Sequence, residues 1–116
     1  GFLKLSPACI HNTQKTVNKT YSDGRSVLDT MVSLARGHLR IDELPKIKVS
    51  LHPETKKWYA ADNRRCFTFK VVAPILQLKH VEVNISNWTS EFNSKLHQAP
   101  RMSDTWTTDD CTVEQV

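Results

Sequence analysis

A chain of 116 residues, 39% of them hydrophobic, is large enough for one core and too short for two ordinary domains. Its formal net charge is +4, and no apolar run reaches the length of a membrane helix; the longest, Val71-Val72-Ala73-Pro74-Ile75-Leu76, is broken by proline. Neither a Gly-x-Ser-x-Gly elbow nor a glycine-rich phosphate loop occurs, which sets aside α/β-hydrolase and Walker-type chemistry.

The charge is uneven. Residues 1–80 hold 14 Lys and Arg against 6 Asp and Glu, or +8, whereas residues 81–116 hold 2 against 6, or −4. A basic body of this kind suits phosphate-bearing partners, a nucleotide or a nucleic acid, while the lack of a long apolar run gives no membrane partner to expect. Cys9, Cys66 and Cys111 form no CxxC pair, and His11, His38, His52, His80 and His97 form no HxH or HExxH. No metal site is therefore expected, and the odd cysteine count points to reduced thiols and an intracellular setting, cytoplasmic or nuclear. Asn-x-Ser/Thr sequons at Asn18, Asn84 and Asn87 would matter only in a secreted chain.

In chain order, Phe2-Leu3-Lys4-Leu5 alternates and reads as a short strand stopped by Ser6-Pro7. Residues 8–25 are polar with isolated hydrophobes and are expected to form a long irregular loop. Ser26 then caps a helix whose apolar stripe is Val27, Leu28, Met31, Leu34 and Ala35, with Gly37 just past its end. Lys46-Ile47-Lys48-Val49-Ser50-Leu51 alternates, so Ile47, Val49 and Leu51 face a core. A turn at 52–56 returns the chain as a second strand, Lys57 to Ala61, completing a hairpin.

That hairpin runs into Asp62-Asn63-Arg64-Arg65. Asp62 or Asn63 is a preferred N-cap, and the pattern predicts a helix from Arg64 to about Val72, stopped by Pro74. Unpaired first-turn amides and the macrodipole, with two guanidiniums beside them, suit an anion. Of Trp58 and Tyr59 only one points outward, and Tyr59 is assigned to that side, where it can stack on a base. One or two strands are expected between Ile75 and Ile85, a short helix within 87–96, and little periodicity after Ser103.

This order of elements, with Pro45-Lys46-Ile47-Lys48-Val49 before the hairpin and Asp62-Asn63-Arg64-Arg65 after it, resembles the ParB/sulfiredoxin-like superfamily over about residues 2–85. ParB-type domains carry proline-isoleucine-x-valine and glycine-glutamate-arginine-arginine at the matching places. The resemblance implies an α+β domain at 1–85, a small mixed sheet with a hairpin leading into a helix; the composition beyond it gives an 86–116 extension that is expected to be partly helical, then acidic and flexible. It also implies a nucleoside triphosphate, with Mg²⁺, held at the box. Carried over by position, Asn63, Arg64 and Arg65 form the phosphate cradle, and the early loop with His11 neighbours it. Asp62 replaces the usual glycine, and Asn63 replaces the ParB glutamate and the sulfiredoxin cysteine, which removes the sulfiredoxin nucleophile.

Three functional readings remain from the sequence. The domain binds a nucleotide or nucleic acid through the box; or it is a metal-dependent nuclease or phosphotransferase using Asp62 as its catalytic carboxylate; or it is a non-catalytic interaction module in which Asp62 and Arg65 pair structurally.

Overall fold

The alternating run around Ile47 and Val49 lies at the centre of a mixed sheet, and both side chains are fully buried. The computed structural model describes residues 2–21, 23–99 and 105–108. In chain order the elements are β1 (Phe2–Leu5), a 3-10 turn at Pro7–Cys9, β2 (Ile10–Asn12), β3 (Thr16–Asn18), α1 (Val27–Ala35), a second 3-10 turn at Ile41–Glu43, β4 (Ile47–Leu51), β5 (Trp58–Ala60), α2 (Asn63–Leu76), β6 (Val81–Ile85), α3 (Ser90–Leu96) and β7 (Thr105–Thr107). The sheet order is β1-β6-β4-β5-β2, with β3 and β7 forming a separate pair. β4 pairs antiparallel with β5 and parallel with β6, so the sheet is mixed and the fold is α+β.

Alternation decides what each face carries. Ile47, Val49, Ala60, Val81 and Val83 share one buried cluster with Ile10 and with Cys66 and Phe69 of α2. Behind α2, Val27, Met31 and Leu34 of α1 pack on Phe67 and Val72. α1 begins as the sequence predicts: the Ser26 hydroxyl accepts the Asp29 N–H at 3.2 Å, and Gly37 adopts φ +78° beyond its end. The opposite face of the sheet is covered by α3, whose Phe92 is fully buried, a burial that stabilises by about 2–3 kcal/mol. Among the described residues no helix is long and apolar enough to cross a membrane.

Five expectations are corrected. The 8–25 stretch contains β2, which adds to β5 in parallel, and β3, which pairs with β7; their short polar sequences hide them because each strand is ordered by its neighbour rather than by its own periodicity. α2 does not stop before Pro74 but continues to Leu76 and ends at Gln77 in the left-handed region, with the Leu78 N–H returning to the Ala73 carbonyl at 2.9 Å. Pro74 is tolerated because its ring sits on the exposed side while Val72 and Ala73 hold the last turn to the core. Ile75 and Leu76 are therefore helical, and only 81–85 forms the expected strand. Leu51, at the end of β4, is 40% exposed rather than core. The weakly periodic end nonetheless supplies β7, and residues 103–104 and 109–116 of the expected acidic tail lie outside the described residues.

Candidate functional site

The hairpin delivers Asp62 to the N-cap position of α2, yet its carboxylate caps nothing. One oxygen accepts the Lys48 backbone N–H at 2.8 Å and the other accepts from Arg65 Nη2 at 3.2 Å. Ala61 N–H in turn donates to the Lys48 carbonyl at 2.9 Å. The β4–β5 ladder is thus continued by a side chain, and the helix is tied to the strand it follows. The proposed catalytic carboxylate is engaged on both oxygens.

Asn63 is buried, and its amide is the knot of the site. Its Oδ1 accepts from Asn12 Nδ2 and from the Gln14 N–H, each at 3.0 Å, while its Nδ2 donates to Thr13 Oγ1 at 2.9 Å. Thr13 passes its own hydroxyl proton to the Ala60 carbonyl at 2.8 Å. The amide therefore anchors the 12–14 segment against the helix start, with its side-chain atoms turned to protein rather than to a ligand. An amide serves here because it accepts on one atom and donates on the other, which a carboxylate at neutral pH cannot do.

Arg65 braces the same junction, donating to the Pro45 and Lys46 carbonyls at 2.8 and 3.3 Å in addition to Asp62. Arg64 lies at the surface and donates to the Thr20 carbonyl at 2.9 Å. Between them the first turn of α2, with no side chain capping it, opens into a cleft of about 370 Å³. Lys95 enters this cleft from α3 and donates to the Ala61 carbonyl at 2.8 Å. Tyr21 and Arg25, from the loop before α1, complete the wall. The early loop that carries Gln14 reaches the box; sequence reasoning missed Lys95 and Arg25, because each belongs to another element and nothing local to it points there.

α3 is held in place by charge as well as by Phe92. Lys48 Nζ reaches Glu91 Oε1 at 2.7 Å, and Lys95 lies 3.7 Å from the other oxygen. The hydrogen bond from Lys48 holds the Glu91 carboxyl below the ordinary 4.5, and the same bond raises Lys48 above 10.5.

No family model matches the chain, and no curated protein matches it.

Tyr59 and His11 do not join the box. They are register partners in β5 and β2, on the sheet face away from the α2 core, with ring centroids 5.6 Å apart. Trp88 packs against Tyr59 at 5.8 Å and against His52 at 4.6 Å, both near perpendicular, so Tyr59 is half-buried in an aromatic cluster. Alternation turned Tyr59 off the core as expected, but the residues after Ile85 cover it.

The cleft fits an anion through its cations and through the α2 amides. It fits Mg²⁺ poorly, since Asp62 would have to surrender its bonds to Lys48 and Arg65, and among the described residues no group of three His, Cys, Asp or Glu side chains is placed to hold a metal ion.

Proposed function

We propose that this chain is a phosphate-recognising domain of ParB/sulfiredoxin-like type, which binds a nucleotide or a nucleic acid in the cleft before α2. The observation that carries this reading is the meeting of Arg64 and Lys95 beside the uncapped first turn of α2. Cations and aligned amides at one recess favour negative charge, and guanidiniums suit phosphate oxygens. The chain acts here as a binder. Catalysis through Asp62 lacks comparable support, because the carboxylate already accepts hydrogen bonds on both oxygens.

Titration with CTP, ATP and short single-stranded DNA at about 50 and 200 mM salt tests this reading. Binding that weakens with salt and falls in Arg64→Ala supports it; no binding to any of the three, or binding indifferent to Arg64 and Lys95, sinks it. The Asp62–Arg65 pair favours a second reading, a non-catalytic interaction module whose box orders the hairpin–helix junction. In that case the arginine substitutions lower thermal stability without changing any ligand response.

A further inference from the structure

Beside the cleft lies a second recess of about 230 Å³, and the two share Gln14, Arg64 and Lys95 as a common wall. The charges are distributed unequally between them. In the first recess the carboxylates answer the cations: Asp62 pairs with Arg65 at 3.2 Å, and Asp23 with Arg25 at 3.3 Å. The shared wall and the second recess differ. No carboxylate among the described residues pairs with Arg64 or Lys15, and Lys95 has only Glu91 at 3.7 Å, an acid bonded more closely to Lys48. Among the described residues, the positive charge without a carboxylate partner thus runs along the wall and into the second recess, away from the α2 box.

A ligand with one compact group of phosphates in the first recess would leave Lys15 unmet. A chain of phosphates would meet both. The amide side chains of Gln14 and Gln98, which contact each other across the second recess, offer the donors and acceptors that base edges take. Gln14 and Gln98 line the recess rather than stand on a projecting helix or ribbon, so the unpaired bases of a single strand reach them and the stacked bases of a duplex do not.

From this arrangement we infer that the ligand is a single-stranded nucleic acid, laid across both recesses with its backbone over Arg64, Lys95 and Lys15. The inference rests on the phosphate-binding reading and narrows its substrate class. Lys15 is suited to report on it, because its side chain is exposed while its carbonyl is held by the Thr108 N–H at 2.8 Å, so truncation leaves the fold intact.

The test is fluorescence anisotropy on the full chain with labelled oligothymidylates of about 3 and about 10 nucleotides, one below and one within the range of about 4–16 that single-strand sites span. ATP, CTP and a hairpin duplex serve as competitors. The expected result is binding of the longer strand at least about tenfold tighter than the shorter one and weaker competition by the duplex. In Lys15→Ala the slope of log affinity against log salt should shrink by roughly 0.7, the share of one phosphate contact. ATP or CTP binding as tightly as the longer strand, with Lys15→Ala silent and Arg64→Ala damaging, overturns the single-strand inference and leaves the phosphate reading standing. Duplex binding equal to single-strand binding also overturns it. No binding of any probe defeats both.

Discussion

The Asp62 carboxylate holds Arg65 at 3.2 Å across the first turn of α2 and, with its other oxygen, holds the Lys48 N–H at 2.8 Å. A helix start, a strand and a guanidinium are thereby fixed by one side chain. The pair is partly exposed, at 24% for Arg65 and 31% for Asp62, so its value is well below that of a buried charge pair. Asp62→Ala is expected to lower the free energy of unfolding by about 1–2 kcal/mol, mostly by leaving the Lys48 N–H without its acceptor. Urea denaturation measures this, and an unchanged midpoint would contradict the tie.

Asn63 has more at stake because it is buried. Asn63→Ala leaves the Gln14 N–H without its acceptor and takes one of two acceptors from the Asn12 amide, which keeps the Asn63 carbonyl at 2.9 Å, and should cost about 2 kcal/mol. The 12–14 segment should loosen first, which amide hydrogen exchange at Gln14 reads directly. Asn63→Asp, which keeps the shape and loses the donor to Thr13, is expected to recover only part of the stability.

Arg64 and Arg65 should separate cleanly. Arg65→Ala removes three bonds at the junction and is expected to lower the melting temperature, whereas Arg64→Ala removes one surface bond to Thr20 and should change stability by less than about 1 kcal/mol. On the binding side Arg64→Ala should be the damaging change. Paired melting and anion-titration curves for the two variants test both halves; equal melting losses would refute the division of roles.

The Lys48–Glu91 bridge gives a pH dependence with a defined sign. Glu91 is held below its ordinary 4.5, so its contribution is present above that value and disappears as pH falls through the depressed value. Lys48 is raised above 10.5, so its contribution is full below that pH and disappears as pH rises through the raised value. The stability difference between the native chain and Glu91→Gln should therefore be flat near neutrality and shrink toward zero in acid. Denaturant midpoints from about pH 3 to 8 check this, and a difference growing in acid would reverse the sign.

Trp106 of β7 stacks on Phe67 of α2, with ring centroids 5.6 Å apart and planes 9° from parallel, and Lys19 Nζ lies over the Trp106 ring at 5.5 Å from its centroid. It closes the α1–α2 core from outside. Trp106→Ala should cost about 2 kcal/mol, less than the 3–5 of a fully buried aromatic because the ring is only half-buried. A midpoint shift under half of that would show that β7 adds little to the core.

What the sequence by itself determined is each element whose pattern is local. Ser26, the apolar stripe from Val27 to Leu34 and Gly37 specify α1 from start to stop, and the alternation of Ile47 and Val49 specifies β4 and its buried side. The hairpin into Asp62-Asn63-Arg64-Arg65 was legible for the same reason, since cap, turn and alternation act over a few residues. Only the tertiary structure decided what the box residues touch. The acceptors and donors that engage Asn63 lie about 50 positions earlier, and the cation that Lys95 brings to the cleft lies 34 positions from the carbonyl holding it. Strand order and register bring these groups together, and neither is written in the periodicity of any one segment. The same cause moved Tyr59 and His11 away from the box: alternation assigned Tyr59 to the face away from the core, but the packing of Trp88 and α3 decided that this face is covered and lies apart from the cleft.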